Sequence, residues 1–233
     1  MNLVISGATK GIGRAIVLHF AKAGWDIAFC ARNEQEVQVF QNELTQAFPQ
    51  QKFDGKVVDC ADKAALQEWA SSLIKDFGAI DVLINNAGVY LPGAVSTEAD
   101  GVLESQLQTN LMSAYHLTRY LLPQMLSQGK GHIFNMCSIA SLQAYPGGGS
   151  YSISKYALLG FSDNLRLELQ EKNIKVTSVL PGATWSNSWS GSGVNPERIM
   201  EAEDIAKMIY QCTQLSDSAV VERIVLRPQL GDL

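Results

Sequence analysis

Short apolar runs alternate with longer helical patterns along almost the entire chain, and this order limits the fold more than any other feature. The apolar runs predict strands near residues 3–5, 27–31, 57–58, 80–84, 131–136, 176–180 and 220–226. Helical patterns fill the intervals at residues 11–23, 34–48, 63–77, 99–128, 150–172 and 202–213. Strands joined through helices pair in parallel by right-handed crossovers, so we predict a three-layer α/β fold, with a parallel sheet of about seven strands and helices on both faces.

The length and composition indicate one globular domain without a nucleic-acid partner. A chain of 233 residues is ordinary for an α/β domain, so we assign residues 1–233 to a single domain. The formal net charge is −5 and no run of Lys or Arg occurs, which argues against nucleic acid. No apolar stretch has the length of a membrane span, and no export signal is recognisable. The four cysteines and three histidines lack metal-ligand spacing, so we expect no metal, reduced thiols and a cytoplasmic location.

A glycine-rich turn, Gly7-Ala8-Thr9-Lys10-Gly11-Ile12-Gly13, follows the first predicted strand and opens the first helix. Glycine lets the backbone turn sharply and approach a pyrophosphate, while the amino end of the helix attracts negative charge. The turn therefore predicts a dinucleotide site. Its spacing differs from the widespread G-x-G-x-x-G pattern, and tight packing of strand against helix is the alternative explanation.

The end of the second predicted strand indicates which dinucleotide binds. A carboxylate there would accept the ribose hydroxyls of NAD and repel a 2′-phosphate. The strand ends instead at Arg32, whose guanidinium suits a phosphate, and Lys10 adds a second cation. Two cations without a competing carboxylate favour NADP, although both can also be ordinary solvated side chains. Asp59, after the third strand, can accept a hydrogen bond from an adenine amino group or cap the next helix.

Tyr151 and Lys155 lie four positions apart in a predicted helix, and Ser138 precedes Tyr151 by 13 positions. Residues four apart share one face of a helix, so the phenol and the ammonium point the same way. A fixed cation favours the phenolate, so we expect Lys155 to lower the pKa of Tyr151 from its usual ~10. Such a tyrosine can exchange a proton with a carbonyl or an alcohol near neutral pH. Alone, the pair is a weak signal because chance produces it often.

Together, these motifs make the chain similar to the short-chain dehydrogenase/reductase family, in its NADP-preferring branch with a Rossmann-type fold. The resemblance covers nearly the whole chain, with Ser6, Thr184 and Ser186 departing from the residues usual at those positions. The matching family motifs are the glycines Gly7, Gly11 and Gly13, the N-N-A-G segment at residues 85–88, the catalytic positions, and Pro181-Gly182 with Ser186 downstream.

The resemblance implies a role for each member of a catalytic set. Ser138 would hold the substrate carbonyl, and Tyr151 would donate the proton. Lys155 would activate Tyr151 and bind the nicotinamide ribose, and Asn110 would hold a water that relays protons from Lys155. The hydride would come from NADPH. The residues predicted to bind the cofactor are Gly7, Thr9, Lys10, Gly11, Ile12, Gly13, Arg32, Asp59, Cys60, Asn86, Ala87, Gly88, Tyr151, Lys155, Pro181, Gly182, Thr184 and Ser186.

Aromatic residues mark the predicted substrate end. Tyr145 lies in the loop after Ser138, with Trp185 and Trp189 in the loop after the sixth strand. With Ser138, these rings would line a pocket for a flat ring or an apolar chain. They can equally fill a core beneath a mobile loop.

The sequence supports two hypotheses about the substrate of such an enzyme. The segments at residues 181–189 and 220–232 resemble bacterial sepiapterin reductases, and Asp232 is a candidate to bind the guanidine-like edge of a pterin. The overall pattern also resembles 3-oxoacyl-(acyl-carrier-protein) reductases. An acidic carrier protein needs a basic patch, however, and Lys130 is the only positive charge between Arg119 and Lys155.

We therefore expect an NADP(H)-dependent oxidoreductase that reduces a small or medium carbonyl compound. The resemblance implies a homodimer or homotetramer formed through helices near residues 110–128 and 150–172. Apolar side chains in these helices can serve that contact or face the sheet: Leu117, Leu121, Leu158 and Phe161. A non-catalytic NADP-binding redox sensor is the alternative from another class, disfavoured because Tyr151 and Lys155 are both present.

Overall fold

A seven-stranded parallel sheet forms the centre of the computed structural model, which describes residues 1–186 and 193–233. The strands are β1 (Asn2–Ser6), β2 (Asp26–Ala31), β3 (Phe53–Val57), β4 (Val82–Asn85), β5 (Gly131–Met136), β6 (Ile174–Pro181) and β7 (Arg223–Leu226). They are hydrogen-bonded in the order β3-β2-β1-β4-β5-β6-β7, and every pairing is parallel. The predicted sheet is therefore confirmed.

Helices cover both faces of the sheet. They are α1 (Gly11–Lys22), α2 (Glu34–Ala47), α3 (Lys63–Phe77), α4 (Val102–Leu107), α5 (Ser113–Gln128), α6 (Gly149–Leu169) and α7 (Ala202–Thr213). Side chains from α1, α2 and α7 share one buried cluster, and those from α3, α5 and α6 share another on the opposite face. The three-layer arrangement follows from this division.

The first strand shows why its sequence is apolar throughout. Successive side chains of a strand point to opposite faces, so Leu3 and Ile5 enter the cluster beneath α1 while Val4 enters the cluster beneath α3. All three are fully buried. A strand buried on both faces has no polar alternation, as expected for the centre of a parallel sheet.

The segment predicted as helical over residues 99–128 consists of two helices with a π-helical turn between them. This turn, Gln108–Met112, joins α4 to α5 and contains the buried Asn110. Turns of this kind are rare and frequent at functional sites. The last strand is shorter than predicted, because its ladder with β6 begins only at Arg223.

Three of the four side chains considered for subunit contact face their own sheet. Leu117, Leu121 and Leu158 are almost completely buried within the chain, and only Phe161 is partly exposed. Among the described residues, no helix combines the length and apolarity needed to cross a membrane. The cytoplasmic location stays a prediction.

Candidate active site

A cleft of about 1010 Å³ opens beyond the carboxyl ends of the strands, where the strand order reverses between β1 and β4. Such a switch point is the usual ligand site of an open parallel sheet. Every residue predicted to bind the cofactor lines this cleft, together with Ser138 and Tyr145. The motifs that are scattered in sequence are thus brought to one place.

The glycine turn packs so closely that two of its glycines admit no side chain. Gly7 has φ +69°, and a Cβ there would lie 2.9 Å from the Cα of Ala87. A Cβ on Gly13 would lie 2.2 Å from the carbonyl oxygen of Gly7. Asn86 holds the turn from the side, since its Nδ2 donates to the Gly7 carbonyl at 2.6 Å. Glycine is therefore required for the turn to pack on itself and on the segment after β4 at the edge of the cleft.

The amino end of α1 fits the pyrophosphate of a dinucleotide. Lys10 is the N-cap of this helix, and its side chain makes no capping hydrogen bond. The N–H groups of a first helical turn have no partner within the helix and carry the positive end of its dipole. Since Gly11, Ile12 and Gly13 line the cleft, this end can accept an anion there.

One carboxylate that was not among the predicted site residues lines the cleft beside Lys10. Glu36, in the first turn of α2, forms an ion pair with Lys10 at 2.6 Å and accepts a hydrogen bond from the Thr9 hydroxyl at 3.1 Å. The expectation of two cations without a competing carboxylate is therefore wrong. Among the described residues Arg32 has no salt bridge, and it lines the cleft beside Glu36 and Asp59.

Buried polar contacts join the strands beneath the cleft. The Ser6 hydroxyl accepts hydrogen bonds from the backbone N–H groups of Asn86 and Ala87, which ties the end of β1 to the segment after β4. Asn85 donates to Asn135 at 2.8 Å and to Thr118 at 2.9 Å. These bonds cross from β4 to β5 and α5, so the N-N-A-G segment fixes the floor of the site.

Ser138 lies at the end of β5 and caps the short 3₁₀ turn Ile139–Ser141. Its Oγ accepts a hydrogen bond from the Ala140 N–H at 3.1 Å, while the Ser141 hydroxyl accepts from the Ser138 N–H at 3.2 Å. The side chain also hydrogen-bonds Tyr151. The cap fixes the position of the hydroxyl in the cleft.

The electrostatic environment of Tyr151 differs from the expectation. Burial raises the pKa of Tyr151, and the hydrogen bond with Ser138 opposes that rise only in part. The Lys155 Nζ lies 5.8 Å from the centroid of the Tyr151 ring and donates to the Met136 carbonyl at 2.7 Å. The expectation that Lys155 lowers the pKa of Tyr151 is therefore wrong for this structure, because the ammonium bonds the backbone and the phenol is buried.

Lys155 is itself buried, and burial lowers its pKa to about 8. Asn110 lies behind it. The Asn110 amide donates to the Val89 carbonyl at 3.0 Å and to the Ser154 hydroxyl at 2.9 Å, and accepts from the Val89 N–H at 2.7 Å. Gly88 lies close to both side chains: a Cβ at this position would lie 3.2 Å from Asn110 Oδ1 and 3.5 Å from Lys155 Nζ.

Two tyrosines flank Tyr151 at the substrate end. The Tyr90 ring packs against the Tyr151 ring with centroids 4.9 Å apart, and Tyr145 hydrogen-bonds Tyr90. All three rings line the cleft. Trp189 lies outside the described residues.

Trp185 does not line the cleft, contrary to prediction. Ala183, Thr184 and Ser186 in the same segment do line the cleft. The Trp185 backbone N–H donates to the Met200 carbonyl at 2.8 Å, and the residue is 36% exposed.

The C-terminal tail also contributes to the wall of the cleft. Asp232 and Leu233 line it, and Asp232 forms an ion pair with Arg227. The Arg198 guanidinium donates to three consecutive backbone carbonyls, those of residues 230–232. Within residues 1–186 and 193–233, no three side chains of His, Cys, Asp or Glu are grouped to hold a metal ion.

Comparison with known proteins agrees with this geometry. The short chain dehydrogenase family matches residues 2–193. The sepiapterin reductase of Chlorobaculum tepidum is 32% identical over 99% of this chain and 97% of that protein. Dehydrogenase/reductase SDR family member 7B of Mus musculus is 36% identical over 79% of this chain, which spans only 58% of that relative. The closed form of a serine dehydrogenase complexed with NADP+ has a TM-score of 0.90 and 26% identity, with 100% of this chain and 97% of that chain covered. The chain therefore belongs to the short-chain dehydrogenase/reductase family, as its motifs predict.

Proposed function

We propose that this protein, an NADP-dependent oxidoreductase of the short-chain family, reduces a small or medium carbonyl compound. The observation that carries the proposal is the convergence of Ser138, Tyr151 and Lys155 on one cleft with the glycine turn. When bound, NADPH supplies the hydride. The protein supplies the position of the carbonyl and the proton that its oxygen requires.

Tyr151 is the proposed proton donor. Its phenol is protonated at neutral pH and lines the cleft with Ser138, so it can donate to the oxygen of a carbonyl that accepts hydride. Ser138 is proposed to donate a hydrogen bond to that oxygen as negative charge develops.

Lys155 and Asn110 are proposed to support the proton donor. Lys155 provides a buried ammonium beside the cleft that can bind the nicotinamide ribose. Both hydrogens of the Asn110 amide are held by Val89 and Ser154, so this side chain joins the segment after β4 to the catalytic helix α6. Asn110 is proposed to hold a water that relays protons from Lys155 to solvent.

The NADP-binding residues proposed here are those that line the nucleotide half of the cleft. The neighbouring serine dehydrogenase structure holds NADP+, which supports the same cofactor for this chain. Arg32 and Lys10 are proposed to meet the 2′-phosphate, and Asp59 and Cys60, which also line the cleft, are proposed to contact the adenine.

A pterin-like substrate is the first choice within the proposed class. The relative from Chlorobaculum tepidum is named a sepiapterin reductase, and Asp232 lines the cleft where a carboxylate can bind a cationic or amino-bearing ring. Tyr90 and Tyr145 add aromatic surface beside Tyr151, which suits a flat ring.

A substrate panel tests the proposal. NADPH oxidation is followed with simple ketones, diketones, sepiapterin and a 3-oxoacyl thioester. Turnover of a diketone or a pterin supports it, and turnover confined to the thioester favours a 3-oxoacyl reductase instead. Tight NADPH binding without oxidation by any member of the panel favours a redox sensor.

The homodimer or homotetramer also belongs to the proposal. Ile153 and Tyr156 are large apolar side chains of α6 and are 42% and 44% exposed. A second copy would cover them. Light scattering on the purified protein measures the subunit number directly.

A further inference from the structure

Glu36 lies at the rim of the cleft, where its carboxylate contacts two side chains of the glycine turn. Asn33 caps α2 by accepting a hydrogen bond from the Glu36 N–H at 3.0 Å, which places the Glu36 side chain over the glycine turn. One carboxylate oxygen pairs with Lys10 at 2.6 Å, and the other accepts from the Thr9 hydroxyl at 3.1 Å. The three side chains form one hydrogen-bonded group at the rim of the cleft.

The same group borders the proposed site of the 2′-phosphate. Lys10, Arg32 and Glu36 all line the cleft, and Asn33 lies between the last two. The hydrogen bond from Lys10 holds the pKa of Glu36 below its usual range, so the carboxylate stays ionised at neutral pH. A phosphate arriving there meets two cations and one fixed anion.

Lys10 has one ammonium for two anions. A 2′-phosphate that draws Lys10 away from Glu36 leaves the carboxylate close to a second negative group, and like charges at such distances repel. The ribose 2′-hydroxyl of NAD is neutral and can donate to a carboxylate. The Glu36 carboxylate therefore disfavours binding of NADP, whereas it leaves binding of NAD unchanged or strengthens it.

We propose that Glu36 is a specificity-determining residue, which competes with the 2′-phosphate of NADP(H) for Lys10 and narrows the preference for NADP over NAD. The inference rests on the placement of the 2′-phosphate between Lys10 and Arg32 under the proposed function. It does not depend on which carbonyl compound is reduced.

Isothermal titration calorimetry with NADP+ and NAD+ tests the proposal on Glu36→Gln, with Glu34→Gln as a matched control. Glu34 lies in the same first turn of α2 and carries the same charge, but it accepts a hydrogen bond from Gln38 at 3.2 Å. Among the described residues it has no ion pair with Lys10. The control therefore reports the effect of charge removed from this turn in general.

We expect Glu36→Gln to bind NADP+ about three- to tenfold more tightly than the wild type, with NAD+ affinity unchanged or lower. Glu34→Gln should change NADP+ affinity by less than about twofold. Unchanged or weaker NADP+ binding in Glu36→Gln overturns the proposal. An equal gain in Glu34→Gln does so as well.

Lys10→Ala and Arg32→Ala in the same titrations separate this inference from the phosphate placement. If the placement holds, both variants bind NADP+ more weakly and NAD+ with unchanged affinity. Unchanged NADP+ binding in both shows that the placement itself is wrong and removes the ground for the Glu36 proposal. Weaker NADP+ binding in both, with no gain in Glu36→Gln, rejects the role of Glu36 alone.

Discussion

The Tyr90 ring stands edge-on against the Tyr151 ring, with centroids 4.9 Å apart and an angle of 78° between the planes. Edge-to-face pairs at this separation are attractive, so Tyr90 restricts the orientation of the proposed proton donor. The contact joins the segment after β4 to the start of α6. It makes the loop after β4 part of the active site rather than a simple connection.

Tyr90→Ala should lower kcat about tenfold, because the Tyr151 phenol, no longer packed against a ring at position 90, spends less time aligned with the substrate carbonyl. Tyr90→Phe keeps the ring and should retain kcat within about threefold. Steady-state kinetics with the best carbonyl substrate measures both, and calorimetry should give an unchanged NADPH affinity. Equal kcat values in the two variants would show that the edge contact is irrelevant.

Arg198→Ala should raise KM for the carbonyl substrate about three- to tenfold, since the tail loses three charge-assisted hydrogen bonds that hold Asp232 and Leu233 at the cleft. NADPH affinity should not change. Arg223→Ala is the control, because Arg223 is an exposed arginine paired with Asp163 and does not line the cleft. A KM increase in both variants alike would contradict this account of the tail.

Gly13→Ala should weaken NADP+ binding more than tenfold, which corresponds to a loss of more than ~1.4 kcal/mol of binding free energy, and should lower the melting temperature. The added Cβ would lie 2.2 Å from the Gly7 carbonyl oxygen and would displace the turn. Gly160→Ala is the matched control. It lies within α6 on the exposed face that also carries Ile153 and Tyr156, with no atom of its own chain within 4 Å of an added Cβ, so NADP+ binding should not change. Calorimetric titration and thermal melts measure both effects, and normal NADP+ binding by Gly13→Ala would contradict the close approach.

The fold and the nucleotide half of the site were predictable because they depend on local patterns. The glycine turn, residues 85–88 and Pro181-Gly182 each follow an apolar strand, and parallel strands bring their carboxyl ends to one edge. Strand and helix order alone therefore located the cleft. The helix over residues 99–128 was predicted in type, but its π-helical turn has no simple pattern in the sequence.

The errors concern contacts between distant segments. Glu36 meets Lys10 only because the first turn of α2 packs over the glycine turn, and no local pattern indicates that packing. The pKa of Tyr151 depends on burial by surrounding loops, which spacing within α6 does not reveal. Trp185 lies outside the cleft although its neighbours line it, and the sequence of this loop does not indicate that difference. An acidic residue four positions after Arg32 was the available signal for Glu36.

Lys155→Met should raise the melting temperature at pH 7, because burial disfavours the charged amine and lowers its pKa to about 8. Because the pKa of Lys155 is lower in the folded state than in the unfolded state, this residue destabilises the wild-type protein at pH values below about 8. The stability of the wild type then recovers as the pH rises from about 8 to about 10.4, the pKa of a lysine in the unfolded chain. At pH 7, removing the buried charge should raise the free energy of unfolding by about 1–3 kcal/mol, and losing the hydrogen bond to the Met136 carbonyl should lower it by about 1 kcal/mol. The stability advantage of Lys155→Met over the wild type should therefore shrink above pH 8.

Thermal melts of wild type and Lys155→Met across pH 6–10 check this prediction. Subtracting one profile from the other cancels the groups that both proteins share. A stability difference that is constant over this range would show that Lys155 does not titrate near pH 8.

Tyr151→Phe tests the central claim most directly, since it removes one hydroxyl and keeps the ring that packs on Tyr90. The measurement pairs kcat for NADPH oxidation, using the carbonyl compound turned over by the wild type, with the Kd for NADPH. The account predicts a fall in kcat of about 10²–10⁴-fold with Kd nearly unchanged. A variant that retains kcat within about threefold of the wild type would contradict Tyr151 as the proton donor.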